Sequence, residues 1–242
     1  WNLALVEKIG NSLGNEAKTK DADVLLAPTI NLHRHPLGGR HFECFSEDPY
    51  LTGELATSYV RGVQSTGVAA CLKHFIGNDT EYQRHSISSN IDERTLRELY
   101  LLPFEMAVKK GGALVVMSAY NKLNNIYCSS HSDLLNKILK DEWSFPGFVV
   151  SDWGAALETN KNAIGGLDLE MPGPSKTWGK KLLKEVENGN IDESVIDDKV
   201  LRILRVLSFT GRIQNYKQRK ETSVNNPDDR KLIRKAGSEG MV

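Results

Sequence analysis

The chain has 242 residues, 40% of them hydrophobic and 26% charged, a composition that fits an ordinary globular protein with a sizeable core. Thirty-one Lys and Arg balance thirty-one Asp and Glu, so no global field exists to draw in nucleic acid or an anionic membrane surface. No apolar run approaches the roughly 18 residues of a membrane-spanning helix.

Cys44, Cys71 and Cys128 are odd in number and widely spaced, so they form neither a disulfide framework nor a zinc pattern. They read as buried reduced thiols and lean toward a cytoplasmic setting without fixing the compartment. The chain begins at Trp1 with no signal-like stretch and stops at Val242, just as an apolar element starts. It therefore reads as a piece of something longer.

Helices and strands alternate. "NLALVEKIGNSLG" places Leu5, Val6, Ile9 and Leu13 on one helical face behind an Asn2 cap. "DVLLAPTINL" predicts a buried strand ending near Asn31. Asp48-Pro49 opens a helix striped by Leu51, Leu55, Tyr59 and Val63. "GVAACLKHF" is a second strand. "DERTLRELYLLPFEMAVKKGG" is a helix kinked at Pro103 and closed by Gly111. "ALVVMSAY" is the third strand and "HSDLLNKILKDEW" its helix. "GFVVSDW" is the fourth strand, followed by a short helix ending at Gly165-Gly166. "LDLEMPG" is a shorter fifth strand. Two helices follow, the second carrying Val195, Ile196, Val200, Ile203, Leu204 and Leu207. Residues 214–226 are polar, and Pro227 starts a last helix.

Strict alternation implies a parallel sheet with right-handed crossovers. Each strand ends in polar groups: Asn31 and His33; Lys73 and His74; Ser118, Tyr120 and Asn121; Asp152 and Trp153; Glu170. A closed barrel gathers such ends around one mouth, whereas an open sheet spreads them out. No G-x-G-x-x-G follows a strand, which argues against a dinucleotide crevice. The expected fold is therefore α/β, a parallel (β/α) TIM-type barrel, incomplete at about five βα units out of eight.

The mouth offers one carboxylate, several cations, a histidine and aromatic rings. No Gly-rich phosphate cradle and no serine elbow is present. His33, His35 and His41 lie near Glu43, but their spacing matches no zinc motif, and the reading is metal-free and cofactor-free. A sugar fits the inventory better. It needs fork-like donors for adjacent hydroxyls, an apolar wall, and a carboxylate under the anomeric carbon. Arg40, Lys73, His74, Arg84 and Asp152 supply the polar groups, and Trp153 and Met117 the wall. Blander roles stay open. Asp152 could cap the next helix, Arg40 and Arg84 could pair with Glu43 and Glu81, and Lys73-His74 could satisfy loop carbonyls. Tyr120 and Met117 could simply pack.

The stretches "LAPTINLHRHPLGGRHFECFSEDPYLTG", "GVAACLKHFIGNDTEYQRH", "DERTLRELYLLPFE", "VVMSAYNKLNN", "GFVVSDWGA" and "GLDLEMPG" together resemble glycoside hydrolase family 3 of the β-glucosidase type. The resemblance runs through essentially the whole chain in order. It implies a retaining hydrolase of terminal β-D-glucosidic bonds with Asp152 as nucleophile. By the same resemblance Arg40, Lys73, His74, Arg84 and Tyr120 bind the sugar, Trp153 shapes its subsite, and Glu170 is a further candidate. Residues 1–213 correspond to the barrel domain without its first strands. Residues 214–242 correspond to a linker and helix leading toward a second α/β domain. In most such members that domain supplies the acid/base Glu, from the same polypeptide or another chain. The loop "FIGNDTEYQRHS" lacks the Asp-His acid/base of the N-acetylglucosaminidase branch. The alternatives are a β-xylosidase or other exo-β-glycosidase of the same family, or a non-catalytic sugar-binding fragment.

Overall fold

The first two helices begin where local chemistry places them. The Asn2 side chain accepts from the Leu5 N–H at 3.0 Å ahead of helix Leu3–Thr19. Asp48 accepts from the Leu51 N–H at 2.6 Å ahead of helix Pro49–Gln64, with Pro49 supplying the preset first turn. Glycines set how closely these helices approach. A Cβ on Gly10 would lie 2.4 Å from the Tyr59 carbonyl oxygen, and one on Gly62 2.0 Å from that of Glu7. Any side chain at either position would force the helices apart.

The structure is a computed structural model describing residues 1–218 and 220–241. Arg219 and Val242, both in the segment 214–242, lie outside the described residues. The strands are β1 (Val24–Leu25), β2 (Ala69–Phe75), β3 (Ser88–Ser89), β4 (Val115–Ser118), β5 (Lys122–Leu123), β6 (Ile126–Tyr127) and β7 (Phe148–Ser151). β1, β2, β4 and β7 form one parallel sheet in that order, with helices in the crossovers. This is the expected α/β barrel-type wall. β3, β5 and β6 form a small second sheet from the loops that leave the ends of β2 and β4.

Two strands are shorter than the sequence pattern predicts. "DVLLAPTINL" pairs over only two residues, because Pro28 has no N–H to give a ladder. Beyond it Thr29 rejoins the sheet by one bridge to Lys73, and the Ile30 N–H donates to the Lys73 carbonyl at 2.8 Å. "LDLEMPG" is reduced to a single parallel bridge, Val150 to Leu169, before Pro172 ends it. Five parallel segments therefore stand side by side. Among the described residues, none pairs with the outer edge of β1 or of Leu169.

The helix through Pro103 runs from Glu93 to Lys109, with π-helical turns over Leu96–Leu101. Pro103 lacks an N–H and its ring crowds the carbonyl four residues earlier, so a widened turn is its local accommodation. Helix Glu193–Phe209 differs from its predicted face. Ile203 and Val206 pack under the sheet with Lys199 buried nearby, whereas Val200 and Leu204 are exposed. The helix carries apolar residues on two faces, and contact with the sheet selects one. Described residues after 213 also contact the first helix. The Thr222 N–H donates to the Thr19 carbonyl at 2.8 Å, and the Ser12 hydroxyl to Asp229 at 2.6 Å in helix Pro227–Gly240.

Alternation along the strands splits the core. One large cluster lies between the sheet and its helices. A smaller one, with Cys71, Val115, Met117 and Val150, lies on the opposite face and continues into Ile203 and Val206. A buried ionic group joins the layers. Asp168 accepts from the Lys140 ammonium at 2.7 Å and from the Val149 N–H at 2.7 Å, with the Lys199 ammonium 3.8 Å away. Burial pulls both lysines below their ordinary range, Lys199 to about 8, against the opposing charge of Asp168. Asp168→Ala would leave two buried ammonium groups without their carboxylate, and we expect a loss of roughly 3–5 kcal/mol in urea unfolding. A loss below about 1 kcal/mol would mean the lysines find water instead.

Candidate active site

β4 and β7 end level, with Ser118 opposite Ser151, so the residues that follow project from one rim. On β2 the register shifts between Leu72 and Phe75. This bulge lets the consecutive residues Lys73 and His74 both face the rim, which strict alternation would forbid. The result is an open-mouthed cavity of about 270 Å³ lined by Leu26, Arg40, Lys73, His74, Arg84, Met117, Tyr120, Asp152 and Trp153. Eight of the nine residues singled out in the sequence meet here. The ninth, Glu170, does not.

Asp152 is 7% exposed. Its Oδ1 accepts from the Trp153 N–H at 2.7 Å, while its buried Oδ2 has no hydrogen-bond partner at ordinary distance among the described residues. Helix capping is excluded, because the next helix, Thr159–Gly165, begins well downstream with Glu158 at its cap position. A buried acceptor left without a donor is costly and uncommon. Here it faces the cavity. The Tyr120 hydroxyl donates to the Trp153 carbonyl at 3.1 Å, with the Asp152 carboxylate close enough to act on it. Burial, and then the charge of Asp152, push the Tyr120 phenol above its ordinary range, so it remains a donor.

The arginines are both anchored and available. Arg40 donates through Nε to Glu43, which also accepts from the Thr29 hydroxyl at 2.6 Å and lies 3.9 Å from the Lys73 ammonium. Burial opposes ionisation of Glu43, but the bonds from Arg40 and Thr29 outweigh it and hold the carboxyl below its usual range. The remaining face of Arg40 reaches the cavity, with NH1 3.1 Å from His74 Nε2. Arg84 donates to Glu81 at 2.6 Å, and its guanidinium lies 4.8 Å from the centre of the Tyr120 ring. The edge of His85 meets that same ring at 4.4 Å.

His74 is 2% exposed and held by Asn31. Burial, then Arg40 and Lys73, pull its pKa down to about 3. The 3.6 Å approach of Nε2 to Asp152 Oδ2 is therefore a neutral contact and not an ion pair. Met117 packs against the inner apolar cluster and forms the cavity floor, so its packing and lining roles coincide. Trp153 remains 41% exposed at the mouth.

Glu170 lies elsewhere, for a physical reason. Its carboxylate accepts from the backbone N–H groups of Lys176, Thr177 and Trp178 and from the Ser175 hydroxyl. The chain after Pro174 wraps around this acid, leaving no free lone pair for a ligand. The histidines around residue 35 serve their own loop: His33 bonds the His41 carbonyl at 2.9 Å, and His35 accepts from the Leu37 N–H at 3.1 Å. A larger cavity of about 600 Å³ beside β6 shows no comparable convergence, since its acid, Glu158, is paired with Lys161 at 2.7 Å. Glu43 and Glu81 were visible in the sequence as arginine partners three residues away. Asn31 was visible only as a strand end.

A parallel α/β barrel-type domain with one carboxylate and several cations at its strand ends defines the class. Residues 1–206 match the Glycosyl hydrolase family 3 N terminal domain, and the chain belongs to that family. It is 49% identical over 242 residues to a beta-glucosidase of Rhizobium radiobacter, covering 100% of this chain and 30% of the relative. It is 46% identical to thermostable beta-glucosidase B of Acetivibrio thermocellus, covering 100% and 32%. The structure of beta-glucosidase 3B from Thermotoga neapolitana in complex with alpha-D-glucose superimposes with a TM-score of 0.93 at 43% identity. That match covers 99% of this chain and 34% of the other. The chain thus spans about a third of the length of these relatives.

Two expectations follow from the site. Unfolded His74 would protonate near 6.5 and folded His74 near 3, so the unfolded chain binds more protons between these values. Its contribution to stability is therefore complete above about 6.5 and is lost as pH falls, at up to about 1.4 kcal/mol per unit. Asp79, pushed up to about 6 by burial, acts with the opposite sign. Comparing His74→Gln with the parent by urea unfolding at pH 4.5 and 7 isolates the histidine, and the variant should lose less on acidification. Glu170→Gln should lower the thermal midpoint by roughly a few degrees. An unchanged melting curve would mean that the surrounding donors do not hold Glu170 in place.

Proposed function

We propose that this chain carries the nucleophile and much of the sugar-binding site of a retaining β-glucosidase. The observation that carries the reading is the buried, unpartnered Oδ2 of Asp152, facing a cavity ringed by Arg40, Lys73, His74, Arg84 and Tyr120. Asp152 attacks the anomeric carbon from below while the bond to the leaving oxygen breaks. This forms a covalent glycosyl ester that water later hydrolyses. The Trp153 N–H holds Oδ1, so Oδ2 is the oxygen free to attack. Arg40, Lys73 and Arg84 donate to the sugar hydroxyls, bonds that strengthen as the ring becomes oxocarbenium-like. Trp153 and Met117 cover its apolar face.

A retaining reaction also needs a proton donor about 5–5.5 Å from the nucleophile. Asp152 is the only acid lining the cavity among the described residues, and Glu43 and Glu81 are committed to Arg40 and Arg84. The donor is assigned to a Glu on a second α/β domain, from the same polypeptide or another chain. The names of the relatives favour glucose over xylose at the non-reducing end. In the full-length enzyme, Asp152→Asn should lower turnover on the order of 10⁴-fold without loss of folding. A 2-deoxy-2-fluoro-β-glucoside should leave its mass on a peptide containing Asp152. Label on a different acid, with Asp152→Asn still active, would remove Asp152 from the mechanism.

A further inference from the structure

Asn31 occupies both polar faces of one histidine. Its amide oxygen accepts from the His74 backbone N–H at 2.8 Å and lies 3.3 Å from Nδ1, while its amide nitrogen donates to the His74 carbonyl at 2.9 Å. Both residues are buried, Asn31 at 4% exposure. The orientation of the amide is determined by the backbone groups it meets, since a carbonyl can only accept and an N–H only donate. The oxygen therefore faces Nδ1, which must carry the proton. At the other end of the ring, Arg40 NH1 stands 3.1 Å from Nε2 and can only donate. Two independent neighbours thus require the same tautomer.

We infer that Asn31 is a positioning residue that locks His74 as the Nδ1–H tautomer and so keeps Asp152 Oδ2 free of a hydrogen-bond donor. Nε2 lies 3.6 Å from that oxygen. A proton on Nε2 would point at the attacking lone pair and would also oppose Arg40. Held as an acceptor, Nε2 instead takes a hydrogen bond from Arg40 or from a sugar hydroxyl. The charged groups facing the imidazole are Arg40 and Glu43 from the loop after β1, Lys73 on its own strand, Arg84 from the loop after β2, and Asp152 after β7. The three cations disfavour an imidazolium, and burial acts in the same direction. Asn31 adds what they cannot, the choice between the two neutral forms. This inference rests on the glucosidase reading only for its consequence, not for the tautomer.

The test is Asn31→Asp in the full-length enzyme, a nearly isosteric change that keeps an acceptor at Nδ1. The added charge favours the imidazolium, whose Nε2–H then donates to Asp152. Inactivation by a 2-deoxy-2-fluoro-β-glucoside is followed from pH 5 to 8. The expected result is an acid limb moved upward by about three units, with the variant about tenfold slower than the parent at pH 5 and recovering as pH rises. An unmoved profile, or the same loss at every pH, overturns the inference. Solid-state ¹⁵N spectra of histidine-labelled enzyme, assigned with His74→Gln, read the tautomer directly. A protonated Nδ1 supports the assignment and a protonated Nε2 overturns it. A parent enzyme that takes no label at Asp152 sinks the hydrolase reading instead, and the spectra still decide the tautomer.

Discussion

Everything in the cavity depends on parallel strands that finish at a common level. The pairing of β4 with β7 sets Ser118 beside Ser151, and the next residues have nowhere to go but the rim. The bulge in β2 adds two adjacent side chains where regular pairing would give one. Below them, Cys71, Val115, Met117 and Val150 fill the inner face and form an apolar floor. Polar groups lie above and apolar groups beneath, because side chains alternate along every strand.

That geometry explains how a carboxylate can be buried with one oxygen unbonded. Burying such an acceptor costs free energy, and three nearby cations offset the cost without capping the lone pair. The cations need restraint of their own. Glu43 and Glu81 grip Arg40 and Arg84 by charge-assisted bonds, which fixes the long side chains before any ligand arrives. Asn31 does the same for His74 with neutral groups. Preorganised donors need little reorganisation when charge develops, which is where electrostatic catalysis gains most.

The opposite end of the wall is tied by different chemistry. Asp168 reaches the β7 backbone and two lysines on separate helices, so helix Glu193–Phe209 is registered against the sheet by charge as well as by Ile203 and Val206. Such a buried group is a weak source of net stability compared with apolar packing, but removing one partner is expensive. It specifies which helical face turns inward. Hydrophobic periodicity alone left that choice open, with Val200 and Leu204 as equally apolar candidates.

What the amino-acid order determined by itself was whatever depends on near neighbours. Asn2 and Asp48 cap their helices through amides three residues on, and the order of strands and helices follows from runs and breaks along the chain. The strand-end residues Lys73, His74, Tyr120, Asp152 and Trp153 could be named because alternation puts polar ends on one rim, whereas Arg40 and Arg84, on loops, and Met117 were named from what a sugar needs and from the family resemblance. Tertiary structure decided the rest. Pro28 and Pro172 shortened strands whose apolar runs looked longer. Glu170 was removed from the rim by amides six to eight residues later curling around it, and Asn31 was fixed on an imidazole 43 positions away. A carboxylate or an amide bonds whichever donors the folded chain brings within about 3 Å, and that distance has no counterpart in linear spacing.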